Sequence, residues 1–206
     1  MYDKDYYERG IETGKSLYSN FRWIPELTIP LAFRMIEYLG IKKEDTILDY
    51  GCAKGYLVRA FRLLGREAYG CDISKYALSS APDDVKRYLV YADPDGPLES
   101  WRFDITISKD VLEHVPLKDL KETLKLIRLF SLNLFVIVPL GRNGKYIIPA
   151  YELDTTHQIR ENMSWWQERI SEAGFEITDS TYLVDGIKDN WSKWSDGNAF
   201  IRARAK

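Results

Sequence analysis

The sequence predicts an α/β fold, a mostly parallel sheet with helices on both faces and an antiparallel pair of strands at the end. Three observations point to it. Short apolar runs alternate with amphipathic stretches along most of the chain, the pattern of strand-helix-strand crossovers. The first run ends in an acidic, glycine-bearing turn, Asp49-Tyr50-Gly51-Cys52-Ala53-Lys54-Gly55. The last two runs, 175–184 and 199–203, have no helix between them, so they are expected to lie antiparallel.

Taken in order, residues 1–28 form a polar and aromatic arm with little period, and residues 29–206 form the domain proper. Thr28 reads as a helix cap, with Pro30 in the first turn. Leu31, Met35, Ile36 and Leu39 follow at helical spacing, and Gly40 stops the helix. Residues 46–50 are the first strand and 56–64 the next helix, with Leu57, Ala60, Phe61 and Leu64 on one face. Strands follow at 68–71, 88–91 and 103–108, with a short helix capped by Ser74 after the second. Residues 117–130 form an amphipathic helix and 134–138 a fifth strand of continuous apolar type. Asn143-Gly144 carries turn chemistry inside a loop-like stretch at 141–156. Ser164 and Gln167 match a capping box that opens a helix ending at Gly174. A loop bearing Trp191 and Trp194 joins the last two strands.

The bulk numbers exclude several classes. A chain of 206 residues, 45% hydrophobic and 29% charged, suits one globular core. A net charge of −2 offers no electrostatic case for wrapping a duplex or coating an anionic membrane. The two cysteines, Cys52 and Cys71, form no CxxC, so neither a disulfide framework nor a metal site is expected. No apolar run is long enough to span a bilayer, and the charged start, MYDKDYYERG, is no signal peptide. The expectation is a reduced, cytoplasmic protein, either a monomer or a homodimer.

In open α/β sheets ligands sit beyond the carboxyl ends of the strands. The residues there are Asp49 to Gly55 after the first strand, Asp72 and Ile73 after the second, Asp93 after the third, and Ser108, Lys109 and Asp110 after the fourth. Acids at strand tips suit a polar ligand without phosphate. A carboxylate can hold two ribose hydroxyls, as Asp72 is placed to do. Asp93 can accept from an adenine amino group, and Asp49 can face an ammonium. Glycine turns let backbone approach such a ligand closely.

The run Ile47-Leu48-Asp49-Tyr50-Gly51-Cys52-Ala53-Lys54-Gly55 resembles the first motif of class I methyltransferases that use S-adenosylmethionine (SAM). Gly70-Cys71-Asp72 resembles their second motif and Ala92-Asp93 the third. Phe103-Asp104, through Val111-Leu112-Glu113-His114-Val115, resembles the segment after the fourth strand in the small-molecule branch. The resemblance covers roughly residues 29–175. It implies a Rossmann-like sandwich with a seven-stranded sheet whose last strand is antiparallel. It also implies SAM as cofactor, S-adenosylhomocysteine as product, and a small-molecule methyl acceptor, with sugar-like molecules among the candidates. Ala53 stands where the family more often has glycine, and Lys54 places a cation beside the cofactor position. A dinucleotide fingerprint would need glycine at positions 53 and 56, which hold Ala53 and Tyr56.

The residues expected to meet the cofactor are Asp49, Gly51, Cys52, Ala53, Gly55, Asp72, Ile73, Asp93, Ser108 and Lys109. Tyr18 and Arg22 join them from the arm, which such enzymes often fold over the site. His157 leads the catalytic candidates as a general base, against a structural role of equal weight. His114 and Lys109 follow, with loop-fixing and rim-charge roles as their alternatives. Lys118, Lys121, Lys125 and Arg128 share a helix face that Glu122 interrupts, which reads as solvated surface. Other readings are RNA or protein as acceptor, a SAM-binding regulator without transfer activity, and a Rossmann oxidoreductase.

Overall fold

Strand β1 (Thr46–Tyr50) sends Ile47 to one face of a sheet and Leu48 to the other, and both are fully buried. It lies third among seven strands in a computed structural model that describes residues 1–92 and 102–206. On one side of it run β2 (Glu67–Asp72) and β3 (Leu89–Tyr91), and on the other β4 (Phe103–Lys109) and β5 (Ser131–Pro139). The residues expected at Asp93 lie outside the described part of the chain. Beyond β5 the order continues through β9 (Asn198–Ala205) to β8 (Phe175–Thr181), so the sheet reads β3-β2-β1-β4-β5-β9-β8. The first five strands pair in parallel, and β9 is antiparallel to both β5 and β8. This is the architecture the sequence predicted, including the antiparallel late pair.

Both faces are covered because both are apolar. On β5, Leu134, Val136 and Val138 face one helical layer, while Phe135 and Ile137 face the other. That is why its sequence is continuously apolar rather than alternating. The first layer holds α7 (Leu117–Phe130) and α8 (Met163–Glu172), with Trp166 and Phe130 fully buried. The opposite layer holds α3 (Pro25–Leu39) and α4 (Tyr56–Leu63), with Met35 and Phe61 fully buried. Two short helices, α5 (Lys75–Ser79) and α6 (Asp83–Lys86), follow β2. Ser74 caps α5 by accepting the Ala77 N–H at 3.0 Å, as expected. Lys118, Lys121 and Lys125 are exposed on α7, and Lys125 pairs with Glu122 at 2.8 Å, so that part of the face is solvated as read, whereas Arg128 is half-buried and donates to the Lys206 carbonyl at 3.3 Å.

Two helix starts differ from expectation. Helix α3 begins at Pro25, so Thr28 is inside it and donates its hydroxyl back to the Ile24 carbonyl at 3.0 Å. Pro25 fixes the first helical φ and holds Ile24 in extended backbone, which makes it the stronger start signal. Pro30 is accommodated within the helix, and Gly40 ends it in the left-handed region, as expected. Helix α8 is capped by Asn162, whose side chain accepts the Trp165 N–H at 3.0 Å. Ser164 is therefore already helical, and Gln167 spends its amide on Ser180 at 2.7 Å instead of closing a capping box.

The loop-like stretch after β5 contains a hairpin, β6 (Gly141–Arg142) with β7 (Lys145–Tyr146), turned by Asn143 and Gly144 at positive φ. The arm holds two short helices, α1 (Lys4–Glu8) and α2 (Gly10–Thr13), with Asp3 accepting the Tyr6 N–H at 3.0 Å to cap the first. Tyr6 and Tyr7 of α1 are buried against Ala77, with Ala53, Tyr18 and Phe21 beside them. The arm thus packs on the turn after β1 and on α5, at the carboxyl ends of the strands.

Candidate active site

The strand order reverses between β1 and β4, the place beyond whose carboxyl ends open α/β sheets bind ligands. The turn after β1 forms one wall of that region. Gly51 and Cys52 donate their N–H groups to the Cys71 carbonyl at 2.8 and 3.0 Å, folding the turn over the end of β2. Gly51 has φ +82°, and a Cβ there would lie 2.4 Å from Val111. Both the dihedral and the contact require glycine. Ala53 adopts φ +50°, the left-handed region the family more often fills with glycine. Gly55 caps α4 at φ +70°. Cys52 is buried and packs in the core with Val58.

Asp49 is 5% exposed, and its carboxyl makes no hydrogen bond among the described residues. Burial raises its carboxyl pKa to about 7, against the pull of Lys109 and with a further push from Asp72. Asp72, at the tip of β2, accepts the Ala53 N–H on one oxygen and the Ser74 N–H on the other, both at 2.7 Å. Burial raises its pKa, and these N–H bonds oppose the rise. Each oxygen keeps a further lone pair. Ile73 beside it is exposed. Ser108 lies at the end of β4 with its hydroxyl buried and unpartnered among the described residues.

Lys54 resolves a question the sequence left open. It is 6% exposed, and both of its partners come from the arm: the Glu8 carboxylate and the Phe21 carbonyl, the latter at 2.8 Å. The lysine of the turn is a clasp for the arm. Replacing it with methionine leaves Glu8 without its cation and is expected to destabilise arm docking by about 1–3 kcal/mol, less than for breaking a fully buried pair because Glu8 is partly solvated. Limited trypsinolysis should then cut at Arg9 and Lys15 faster than in the wild type. Unchanged cleavage would show that the tyrosine packing alone holds the arm. Tyr18 is half-buried and stacks among Tyr6, Tyr7 and Phe21, whereas Arg22 is exposed.

The other wall carries a charged and imidazole-bearing cluster. Lys109 donates to Asp110 at 2.5 Å, and Lys188 donates to the other Asp110 oxygen. Burial alone would raise the Asp110 pKa, but the two ammonium groups hold it below the usual range. Lys188 comes from the Trp-bearing loop, in the left-handed region at φ +61°, and no local pattern marked it. Asp110 shares that conformation at φ +56°, one an aspartate tolerates more readily.

Glu113 is 1% exposed, and its Oε2 has no partner among the described residues. Burial, and then the nearby Asp110, push its pKa well up. His157 Nε2 lies 4.0 Å from Glu113 Oε1. Its Nδ1 is 2.8 Å from the Tyr151 carbonyl, which can only accept, so Nδ1 carries the proton and Nε2 the lone pair. His114 Nδ1 is 2.8 Å from Thr156 Oγ1, and that hydroxyl donates to Asp154 at 2.5 Å. His114 therefore also carries its proton on Nδ1. Burial lowers both histidine pKa values, that of His114 to about 4 with help from His157. The segments are tied together by Gln158 and Ile159, whose N–H groups donate to the Glu113 carbonyl at 2.8 and 3.1 Å. Tyr6 of the arm donates to Asp154 at 2.8 Å, and Tyr2 meets the His114 ring edge-on. The structure thus gathers Asp49, Lys109, His114 and His157 at one end of the sheet. Asp154, Thr156 and Lys188 join them without a sequence signal.

A sequence model described as a methyltransferase domain matches residues 26–184. No curated protein is similar to the chain in sequence. Among solved structures, a SAM-dependent methyltransferase from Archaeoglobus fulgidus superposes with a TM-score of 0.65 at 17% identity, covering 84% of this chain and 92% of the other. The complex of the Haloferax volcanii Trm112 methyltransferase activator with a methyltransferase gives 0.67 at 16%, covering 87% and 90%. Magnesium protoporphyrin IX methyltransferase from Synechocystis, with bound S-adenosylhomocysteine, gives 0.62 at 15%, covering 87% and 82%. With that match over most of its length, the chain belongs to the methyltransferase-domain family and is a SAM-dependent methyltransferase.

Proposed function

We propose that this enzyme moves the methyl group of SAM to an oxygen or nitrogen of a small-molecule acceptor in the cytoplasm, with residues 29–206 as the catalytic domain and residues 1–28 as its lid. The observation that carries the reading is His157. It is a buried, neutral imidazole whose free Nε2 faces the acidic cluster beside the β1 turn. SAM supplies a sulfonium-bound methyl group for in-line displacement. The residues present fit SAM. The turn holds Gly51, Ala53 and Gly55 at positive φ, and Asp49 offers a buried carboxyl without a partner among the described residues. In this reading Asp49 faces the amino-acid ammonium and Asp72 the ribose diol, with Ile73, Ser108 and Lys109 lining the cofactor and Tyr18 and Arg22 closing over it. His157 takes the acceptor's proton, His114 positions it, and Lys109 steers the acceptor. Incubation with methyl-tritiated SAM and the small-molecule fraction of a cell extract should yield labelled low-molecular-weight product. Label found only in RNA or protein would overturn the acceptor class.

The raised Asp49 pKa has a signed consequence. Between about pH 4 and 7 the folded state holds a proton on Asp49 that the unfolded state releases. Its stabilising contribution is therefore complete below the unfolded value of 3.8 and is lost as pH rises through about 7. Lys109 and Asp72 are the charged groups facing it. The expected result is that wild-type protein loses thermal stability relative to Asp49→Asn between pH 5 and pH 8. A constant difference across that range would contradict it.

A further inference from the structure

Glu113, His114 and His157 form a group whose arrangement exceeds what a proton acceptor needs. One ligand atom of each lies within 4.8 Å of those of the others. Two ligands of a tetrahedral ion sit roughly 3.4 Å apart, given bonds of about 2.1 Å. Small side-chain rotations would bring the three onto a common centre.

We propose that Glu113, His114 and His157 bind a divalent transition-metal ion, Zn²⁺ in the first instance, as a two-histidine, one-carboxylate site. Three independent features support it. First, both imidazoles are fixed in the same tautomer, with Nδ1–H spent on an acceptor and the Nε2 lone pair left free. Those acceptors are the supports that metal-bound histidines use: a backbone carbonyl for His157, and for His114 a hydroxyl backed by the Asp154 carboxylate. Second, the Glu113 carboxylate is 1% exposed, with Oε2 unpartnered among the described residues. A buried carboxylate oxygen without a donor is costly unless something fills its place. Third, the frame is rigid, since the Glu113 carbonyl holds the 158–159 backbone through two hydrogen bonds. Two imidazoles and one carboxylate suit Zn²⁺ with a position left open, rather than the all-oxygen shells of Mg²⁺ or Ca²⁺. Asp110 is already neutralised by Lys109 and Lys188, so it stays out of the set.

The proposal keeps methyl transfer but replaces the direct-base role of His157, whose Nε2 lone pair would go to the ion, and it rests on the methyl-transfer reading only for its consequence. An acceptor oxygen at the open position would lose its proton to solvent more readily. That would narrow the acceptor to a molecule with a metal-binding hydroxyl. The site itself can be tested without any acceptor. Full-length protein treated with chelator should take up one Co²⁺ per chain at micromolar concentration, with a visible absorption band that Zn²⁺ abolishes. Glu113→Gln and His157→Gln should lose the band. Thr156→Val, which keeps the shape and removes the hydroxyl that links His114 to Asp154, should weaken Co²⁺ binding about 10–100-fold. Absence of the band in wild-type protein up to millimolar Co²⁺, or an unchanged band in Glu113→Gln and His157→Gln, would overturn the site. SAM titration of the same chelated wild-type sample separates the two readings. Retained SAM binding without a cobalt band rejects the metal alone, and lost SAM binding with a cobalt band rejects the methyltransferase reading alone.

Discussion

Substituting asparagine for His157 is expected to lower methyl transfer by roughly 10²- to 10⁴-fold, the range for losing a positioned proton acceptor. The choice of asparagine matters. Its amide can still donate to the Tyr151 carbonyl, which the His157 ring reaches at 2.8 Å, so the loop keeps its anchor. What disappears is the Nε2 lone pair facing Glu113. The loss should fall on turnover, with SAM affinity by calorimetry within about twofold of wild type, because His157 contacts neither the β1 turn nor Asp72. Undiminished initial rates with labelled SAM would remove His157 from the chemistry and return it to a purely structural role. A metal ligand and a direct base both predict the loss of turnover, and the cobalt band separates them.

The second large effect is on the cofactor. Asp72→Ala should weaken SAM binding about 10–100-fold, or about 1–3 kcal/mol for buried polar groups left unpaired. The carboxylate has two tasks. It holds the turn through Ala53 and the start of α5 through Ser74, both at 2.7 Å, and its remaining lone pairs are free for a ribose diol. Asp72→Asn separates charge from shape. Its amide oxygen can satisfy one N–H, but its NH₂ group then confronts the other. The asparagine variant should therefore also bind SAM more weakly, with a modest fall in melting temperature. SAM affinity equal to wild type in both variants would mean that the ribose lies elsewhere.

Much of the architecture was legible because it is written in short-range patterns. The alternation of apolar runs with amphipathic stretches required strands and helices in turn. The continuous run at β5 required burial on both faces, and it is buried on both. Asp49, Gly51, Gly55 and Asp72 could be placed at strand tips because each lies at the carboxyl end of its strand or within a few residues beyond it. Where local signals competed, the sequence misjudged. Thr28 and Ser164 are good capping residues, yet Pro25 and Asn162 begin the helices. For α8, backbone bonds from Gln158 and Ile159 to Glu113 hold the preceding chain and favour the earlier start.

The sequence by itself determined the sheet, its antiparallel finish and the acidic strand tips, since periodicity and turn chemistry act over a few residues and need no distant partner. Only the tertiary structure decided that Lys54 clasps the arm through Glu8, that Lys188 shares Asp110 with Lys109, and that His157 faces Glu113. Each of those pairings joins segments far apart in the chain. A buried charge or imidazole takes its meaning from whichever group the fold brings within a few ångströms, and no local pattern encodes that neighbour.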